Sequence, residues 1–408
     1  MGSTVQHVFI IGAKGLGGYG GYETFVRKLI DHTPGSDGGV CYHVVCKANG
    51  YGALDERTLP DVKHTGEMDY MYRGAHCHKL HVPPVGSAQA VIYDYLGLRW
   101  ALAYCRREGI TQPVFYVLSC RLGPVIRSLC REIHRLGGRF FLNPDGHEWM
   151  RAKWNRFIRA YFRYSERKMA LAADLVVCDS REIERYIRES YGLPESRTTF
   201  LAYGAETYRE LDGDEQELCL QWLNAHGLEP DGYYLLISRF VPENSFECIL
   251  SAFMASNSKR KLVIVATENE RFQRYLEDNL HFSTDPRIRL VGTVYDEALL
   301  HGLRRSAHGY LHGHTVGGTN PGLLEAMADG SICLVRDVAF NREVALDAAL
   351  YWSGEAEDLR KLLERTDAMS KEELAPLGLR ARARMESAYR WDAIAEGYLR
   401  IFTEEKSF

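Results

Sequence analysis

Short apolar runs rich in β-branched and aromatic residues alternate along the chain with stretches whose apolar positions recur at helical spacing. A first series of such runs covers residues 8–11, 42–46, 79–82, 114–118, 139–142 and 175–178. Each is followed by helix-like or loop sequence, and this rhythm predicts a parallel, doubly wound sheet, because parallel strands need crossover connections. After Phe200-Leu201-Ala202-Tyr203-Gly204-Ala205 the chain turns acidic from Glu206 to Glu217, which marks a linker. A second series follows at residues 234–237, 262–265, 288–291, 309–312 and 332–335, again separated by helical pattern. The chain is therefore expected to be α/β, with Rossmann-like domains over residues 1–205 and 206–385. Apolar residues at helical spacing between Trp391 and Phe402 predict a terminal helix within 386–408.

Length and composition agree with that division. The 408 residues suit two cores of about 200 residues each. With 46% hydrophobic and 25% charged residues, the chain is neither disordered nor collagen-like. A net charge of −4 gives no reason to expect a nucleic-acid partner. The ten cysteines are scattered without a C-x-x-C pair, which suits reduced thiols in a cytoplasm. No stretch approaches the roughly 20 apolar residues of a membrane span, and no signal segment precedes the first strand, so a cytoplasmic location is expected.

Candidate chemistry gathers where strands end. The first strand runs into Gly12-Ala13-Lys14-Gly15-Leu16-Gly17-Gly18-Tyr19-Gly20-Gly21-Tyr22-Glu23, ahead of a helix expected near Thr24. So many glycines let backbone N–H groups approach an anion or a polar sugar; the alternative is a tight turn without ligand. Gly15, Gly17 and Gly20 also satisfy G-x-G-x-x-G, yet the second strand ends Cys46-Lys47-Ala48-Asn49, without the acid a dinucleotide's ribose would need. Asn143-Pro144-Asp145-Gly146-His147-Glu148-Trp149 leaves another strand end. Asp145, His147 and Glu148 could take or orient the proton of an acceptor hydroxyl; alternatively Asp145 caps a helix and Glu148 completes a capping box. Residues 149–168 then carry seven basic side chains among aromatic ones, fit either for an anionic leaflet or lipid-linked diphosphate, or for a solvated helix face.

In the second half, Ser238-Arg239-Phe240-Val241-Pro242-Glu243-Asn244 leaves a strand, and Arg239 could clamp a diphosphate. The run from His312-Gly313-His314 through Gly317-Gly318-Thr319-Asn320-Pro321 to Glu325 reads as strand, glycine turn and helix. Amides at 317–320 would face phosphate, and Glu325, one turn in, could take ribose hydroxyls. Asp212-Gly213-Asp214 lies in the acidic linker and is expected to be a solvated loop, not a metal site. His76, His78 and His81 crowd together without a carboxylate or cysteine pair beside them, which argues against zinc.

These motifs, with Gly18-Tyr19-Gly20-Gly21-Tyr22-Glu23-Thr24, Arg151-Ala152-Lys153-Trp154 and Phe340-Asn341-Arg342-Glu343, resemble the large retaining, family-four-like nucleotide-sugar transferases of GT-B fold. Within them the pattern is similar to a bacterial rhamnosyltransferase-like branch with a first domain of the DUF1972 type. The resemblance spans nearly the whole chain. It implies two Rossmann-like domains facing across a cleft, acceptor in the first and nucleotide sugar in the second, with the terminal helix packing back toward the first. It also implies a donor of the dTDP-L-rhamnose type, an acceptor sugar on a lipid-linked oligosaccharide or cell-surface polysaccharide precursor, no metal or cofactor, and retention at the anomeric carbon. Gly18, Arg239, Asn244, His314, Gly317, Gly318, Thr319, Asn320 and Glu325 would then serve the donor. Tyr22, Glu23, Trp149, Arg151 and Lys153 would serve the acceptor, and residues 149–168 could touch the inner face of the plasma membrane. Three positions depart from the pattern: Gly317 replaces a usual Glu, Asn244 a common Lys, and His147 an apolar residue. A UDP- or GDP-hexose donor, an NAD-dependent oxidoreductase and a silent sugar-nucleotide-binding protein are the competing readings.

Overall fold

A computed structural model describes residues 5–16, 21–33, 39–50, 52, 53, 55–267 and 269–404. The chain divides into two compact units, Met1–Tyr203 with Trp391–Phe408, and Gly204–Arg390.

In the first unit, strands β1 (Gln6–Ile11), β2 (Val40–Lys47), β3 (Val62–His64), β4 (Asp69–Tyr72), β5 (Ala75–Leu80), β6 (Val114–Leu118), β7 (Arg139–Asn143), β8 (Leu175–Cys178) and β9 (Thr198–Phe200) form one sheet. Its order is β3-β4-β5-β2-β1-β6-β7-β8-β9. From β5 to β9 all neighbours are parallel, while β3, β4 and β5 pair antiparallel. The central strands are continuous apolar runs because helices cover both faces. Phe9, Ile11, Phe115, Val117, Leu142 and Val176 are all fully buried. The terminal helix Trp391–Thr403 belongs to this unit and buries Trp391, Ile394, Ala395, Tyr398 and Phe402. Phe402 packs 5.8 Å from the Tyr116 ring, and Arg139 donates to the carbonyls of Phe402 and Glu404 at 2.5 and 2.6 Å. Those bonds satisfy acceptors that a helix end leaves open.

The second unit holds β10 (Tyr233–Ile237), β11 (Lys261–Val265), β12 (Ile288–Leu290), β13 (Gly309–His312), β14 (Cys333–Arg336) and β15 (Leu350–Trp352). The order is β12-β11-β10-β13-β14-β15, and every pair is parallel. The chain winds outward from β10 in one direction and from β13 in the other. A topological switch point therefore lies between these two strands, and ligands of open α/β sheets settle outside the carboxyl ends there.

Candidate functional site

Both loops at the second unit's switch point carry residues singled out in the sequence. After β10 the chain passes exposed Arg239 and a short turn, Pro242–Asn244; after β13 it passes residues 313–320 into the helix Pro321–Ala328. The loops are tied together. Asn244 is buried, and its amide donates to the Arg239 carbonyl at 2.7 Å while its oxygen accepts from His314 Nδ1 at 2.9 Å. Since that oxygen can only accept, the His314 proton is assigned to Nδ1 and the ring is held in one orientation. Ser245 Oγ donates to the Gly313 carbonyl at 2.7 Å, and Thr315 donates twice to the Glu243 carbonyl. A Cβ at position 313 would stand 2.3 Å from the Asn244 carbonyl oxygen, so only glycine permits this approach.

The turn continues through Gly317, whose φ of +129° is open to glycine and strained for other residues. A Cβ there would also meet His314 Nε2 at 3.3 Å. A Glu at this place, as the resembling pattern has, would thus be strained by the local backbone. Gly318 and Thr319 are buried, and Asn320 caps the helix, its Oδ1 accepting from the Gly322 amide at 2.9 Å. Pro321 at the first helical position needs no hydrogen-bond acceptor. Glu325 sits one turn in, half-buried, and its carboxylate is gripped by the guanidinium of Arg304. Arg304 is 2% exposed and also faces Asp329 at 3.5 Å. Asp329 in turn takes His301 Nδ1 at 2.7 Å and Arg305 at 3.2 Å. The sequence carried no sign of Arg304, which lies 21 positions upstream on a different helix. Beneath the turn, burial drives the His312 ring down to a pKa of about 4, opposed only in part by Asn341.

The first unit gathers a separate set at its own carboxyl edge. Asp145 and His147 both have positive φ, and only a single 3-10 turn, Glu148–Met150, follows them directly. The capping-box reading fails here: the short turn Glu148–Met150 has no side-chain cap, and the Asp145 amide donates to Asn143 Oδ1 at 3.0 Å. The acids instead converge on bases. Arg151 contacts Glu148 at 2.6 Å and Asp145 at 3.5 Å, and Lys153 reaches Glu148 at 3.1 Å. Trp154 Nε1 donates to the same Glu148 carboxylate at 2.9 Å. Burial pushes the Glu148 carboxyl up, but Arg151 and Lys153 outweigh it and hold the group below the usual range. For Asp145 burial wins over Arg151 and Arg121, and Glu148 adds to it, so its pKa is raised. The His147 ring lies 4.2 Å from Tyr186, its Nδ1 buried without a hydrogen-bond partner, and burial lowers its pKa.

Tyr22 lies on the helix Gly21–His32, its hydroxyl pKa raised well above normal by burial and by Asp145, Tyr203 and Asp179, against Arg121. Glu23 accepts from the Lys14 amide at 3.0 Å, bracing the start of the glycine loop. Gly18, with Gly17, Tyr19 and Gly20, lies outside the described residues. Trp149 stacks under Arg163 at 5.2 Å, and Lys153 stands over Trp154 at 4.4 Å. Arg121, just after β6, was not singled out from sequence; it donates at 3.0 Å to fully buried Asp94 and contributes positive field at Tyr22 and Asp145. At the end of β2, Lys47 bonds Gln89 at 2.8 Å where a dinucleotide site would place a carboxylate. Asp212 caps the helix Gly213–Ala225 in a capping box with Glu215, so this segment opens a helix where a solvated loop was expected.

Comparison with known proteins adds the fold's kinship. Among solved structures, sucrose-phosphate synthase from Thermosynechococcus elongatus aligns with a TM-score of 0.76, at 16% identity over 97% of this chain and 98% of that one. HepE of Anabaena in complex with UDP-glucose gives 0.71, at 12% identity over 98% and 99%. A glycosyltransferase from Rickettsia africae gives 0.69, at 10% identity over 98% of each chain. Together with two doubly wound, mainly parallel sheets, this likeness over nearly the whole length defines the fold as GT-B. Within it, residues 5–206 match the model of a family described as a domain of unknown function, DUF1972. A search of curated proteins finds no match to the sequence.

Proposed function

We propose that this chain is a glycosyltransferase that binds a nucleoside-diphosphate sugar at the carboxyl edge of its second sheet. The observation that carries the reading is the tied pair of loops at the switch point, which carry Arg239, His314 and the turn 317–320 and lead into the helix bearing Glu325. The helix N-terminus and Arg239 suit a diphosphate, and the oriented Glu325 carboxylate suits ribose hydroxyls. HepE, similar in fold, is a complex with UDP-glucose, which supports a sugar nucleotide here and favours a UDP-hexose as the second reading.

In the leading reading the donor is dTDP-L-rhamnose and the configuration at the anomeric carbon is retained. The bond from that carbon to the diphosphate breaks, a bond to the acceptor oxygen forms on the same face, and the hydroxyl proton passes to the departing diphosphate. No step calls for a metal. Asp145, His147 and Glu148 with Tyr22, Trp149, Arg151 and Lys153 are the groups proposed to meet the acceptor, a sugar of a lipid-linked or cell-surface polysaccharide precursor. Burial raises the Asp145 carboxyl and keeps the His147 ring neutral, which suits both to hold and orient the acceptor hydroxyl while its proton passes to the diphosphate. Contact with an anionic leaflet is proposed for the helix Arg156–Ala172. Its exposed face carries Arg156, Arg159, Arg163 and Arg167 beside Phe157, 74% exposed, and Tyr164, 49% exposed. No helix among the described residues is long and apolar enough to cross a membrane. The test is a panel of dTDP-, UDP- and GDP-sugars incubated with lipid-linked acceptors and read by mass spectrometry. Rhamnose transfer from the dTDP sugar alone supports the donor assignment, transfer from a UDP-hexose alone replaces it, and no turnover of any donor overturns the enzyme.

A further inference from the structure

The amino edge of the first sheet, opposite the acidic and basic set around Asp145, carries a second cluster. His7 is the register partner of Cys41 across β1 and β2, and His43 follows two positions on, so all three side chains share one face. His7 Nδ1 and His43 Nε2 lie 2.9 Å apart, Cys41 Sγ is 3.6 Å from His43 Nε2, and the ligand atoms all fall within 4.8 Å of one another. Around a tetrahedral zinc ion, with Zn–N of about 2.0–2.1 Å and Zn–S of about 2.3 Å, nitrogens stand about 3.3 Å apart and sulfur about 3.6 Å from nitrogen. Two of the three separations, His7 to His43 and Cys41 to His43, lie within about 0.4 Å of those values, and the third, His7 to Cys41, is no more than 4.8 Å.

A chain of hydrogen bonds behind His43 points its lone pair the right way. Asp69 on β4 accepts from His76 Nε2 at 2.9 Å, which leaves His76 Nδ1 as an acceptor. His43 Nδ1 lies 3.3 Å from that atom and donates to it, so the His43 lone pair is on Nε2, facing His7 and Cys41. His78 Nδ1 donates to the same Asp69 oxygen at 2.7 Å. A ligating histidine usually gives its other ring N–H to an acceptor behind it, and here that acceptor is His76, itself held by Asp69. His76 and His78, crowded in the sequence with no acid at hand, find it on a neighbouring strand. Phe9 stacks on His43 at 4.3 Å and Trp100 on His78 at 4.3 Å, which fixes both rings.

We propose that His7 Nδ1, Cys41 Sγ and His43 Nε2 bind one divalent cation of the zinc class, with water in the fourth position. Two imidazoles and a thiolate select zinc or cobalt over magnesium or calcium. On binding, the Cys41 thiol gives its proton to solvent and the His7 proton moves to Nε2, so the site takes up metal and releases one proton. The full chain, stripped with a chelator, is titrated with Co(II). One equivalent is expected to produce a thiolate-to-cobalt charge-transfer band and the intense visible absorption of tetrahedral cobalt, both abolished by Zn(II). Cys41→Ser removes the charge-transfer band, and His7→Gln, at a half-buried position that leaves the core intact, weakens uptake at least tenfold, with far-ultraviolet circular dichroism confirming that each variant is folded. Absence of stoichiometric uptake by the wild-type chain, or an unchanged band and affinity in Cys41→Ser, overturns the site.

Discussion

Gly317 shows how a single position can depart from a family pattern for a local reason. Its φ of +129° strains any side chain, and a Cβ would also crowd His314 Nε2 at 3.3 Å. Gly317→Glu is therefore expected to cost about 1–3 kcal/mol in a denaturant titration and to weaken nucleotide binding; a variant that binds more tightly would contradict the account. Asn244 departs for a related reason, since both ends of its amide are spent joining Arg239 to His314. The sequence showed that these positions were unusual, but backbone angle and burial explain why. His312 supplies a pH dependence. A ring whose folded pKa of about 4 lies below the unfolded value of about 6.5 binds its proton more readily in the unfolded chain. Its stabilising contribution is thus full above pH 6.5 and is lost as pH falls toward 4, and His147 adds in the same direction. Urea midpoints measured across that window should drop with acid, and His312→Gln should flatten the slope by about one proton. An unchanged slope would remove His312 from the account.

At the scale of elements, strands buried on both faces were the most legible. The runs 114–118, 175–178 and 309–312 coincide with β6, β8 and β13, because parallel strands under helices need apolar residues throughout. The β3–β4 pair escaped notice because its strands are only three and four residues long, with Lys63, His64 and Asp69 breaking the apolar run, and its link to β5 is the tight turn Arg73–Gly74, both with positive φ. Arg73 is an unfavourable residue there, and its ion pair with Asp31, 3.2 Å away on another element, cannot be read from local sequence. The helix Arg156–Ala172 was legible as basic and aromatic, and its exposed face carries the membrane proposal. Replacing Arg156, Arg159 and Arg163 by Glu should lower the protein's partition onto phosphatidylglycerol vesicles by at least about a hundredfold, given about 1 kcal/mol for each basic residue near the surface. Equal partition of wild type and variant in a sedimentation assay would leave that face a solvated one.

For the whole molecule, the two doubly wound sheets were foreshadowed by the alternation of strand and helix patterns, while their strand order came only with the structure. The candidate sites were legible only in part: the motifs at strand ends were visible, while the partners that orient them, Arg304 behind Glu325 and Arg121 with Asp94 near Asp145, come from distant segments. The account's central claim is that the second sheet's switch point holds a sugar nucleotide through Arg239 and Glu325. Calorimetric titration of dTDP and UDP into the full chain, Glu325→Gln and Arg239→Ala tests it most directly; Gln is chosen because Ala would strip a partner from the buried Arg304 guanidinium. The account predicts saturable binding by the wild-type chain of at least one of the two nucleotides and at least tenfold weaker binding in each variant. Equal affinity in all three proteins would contradict it.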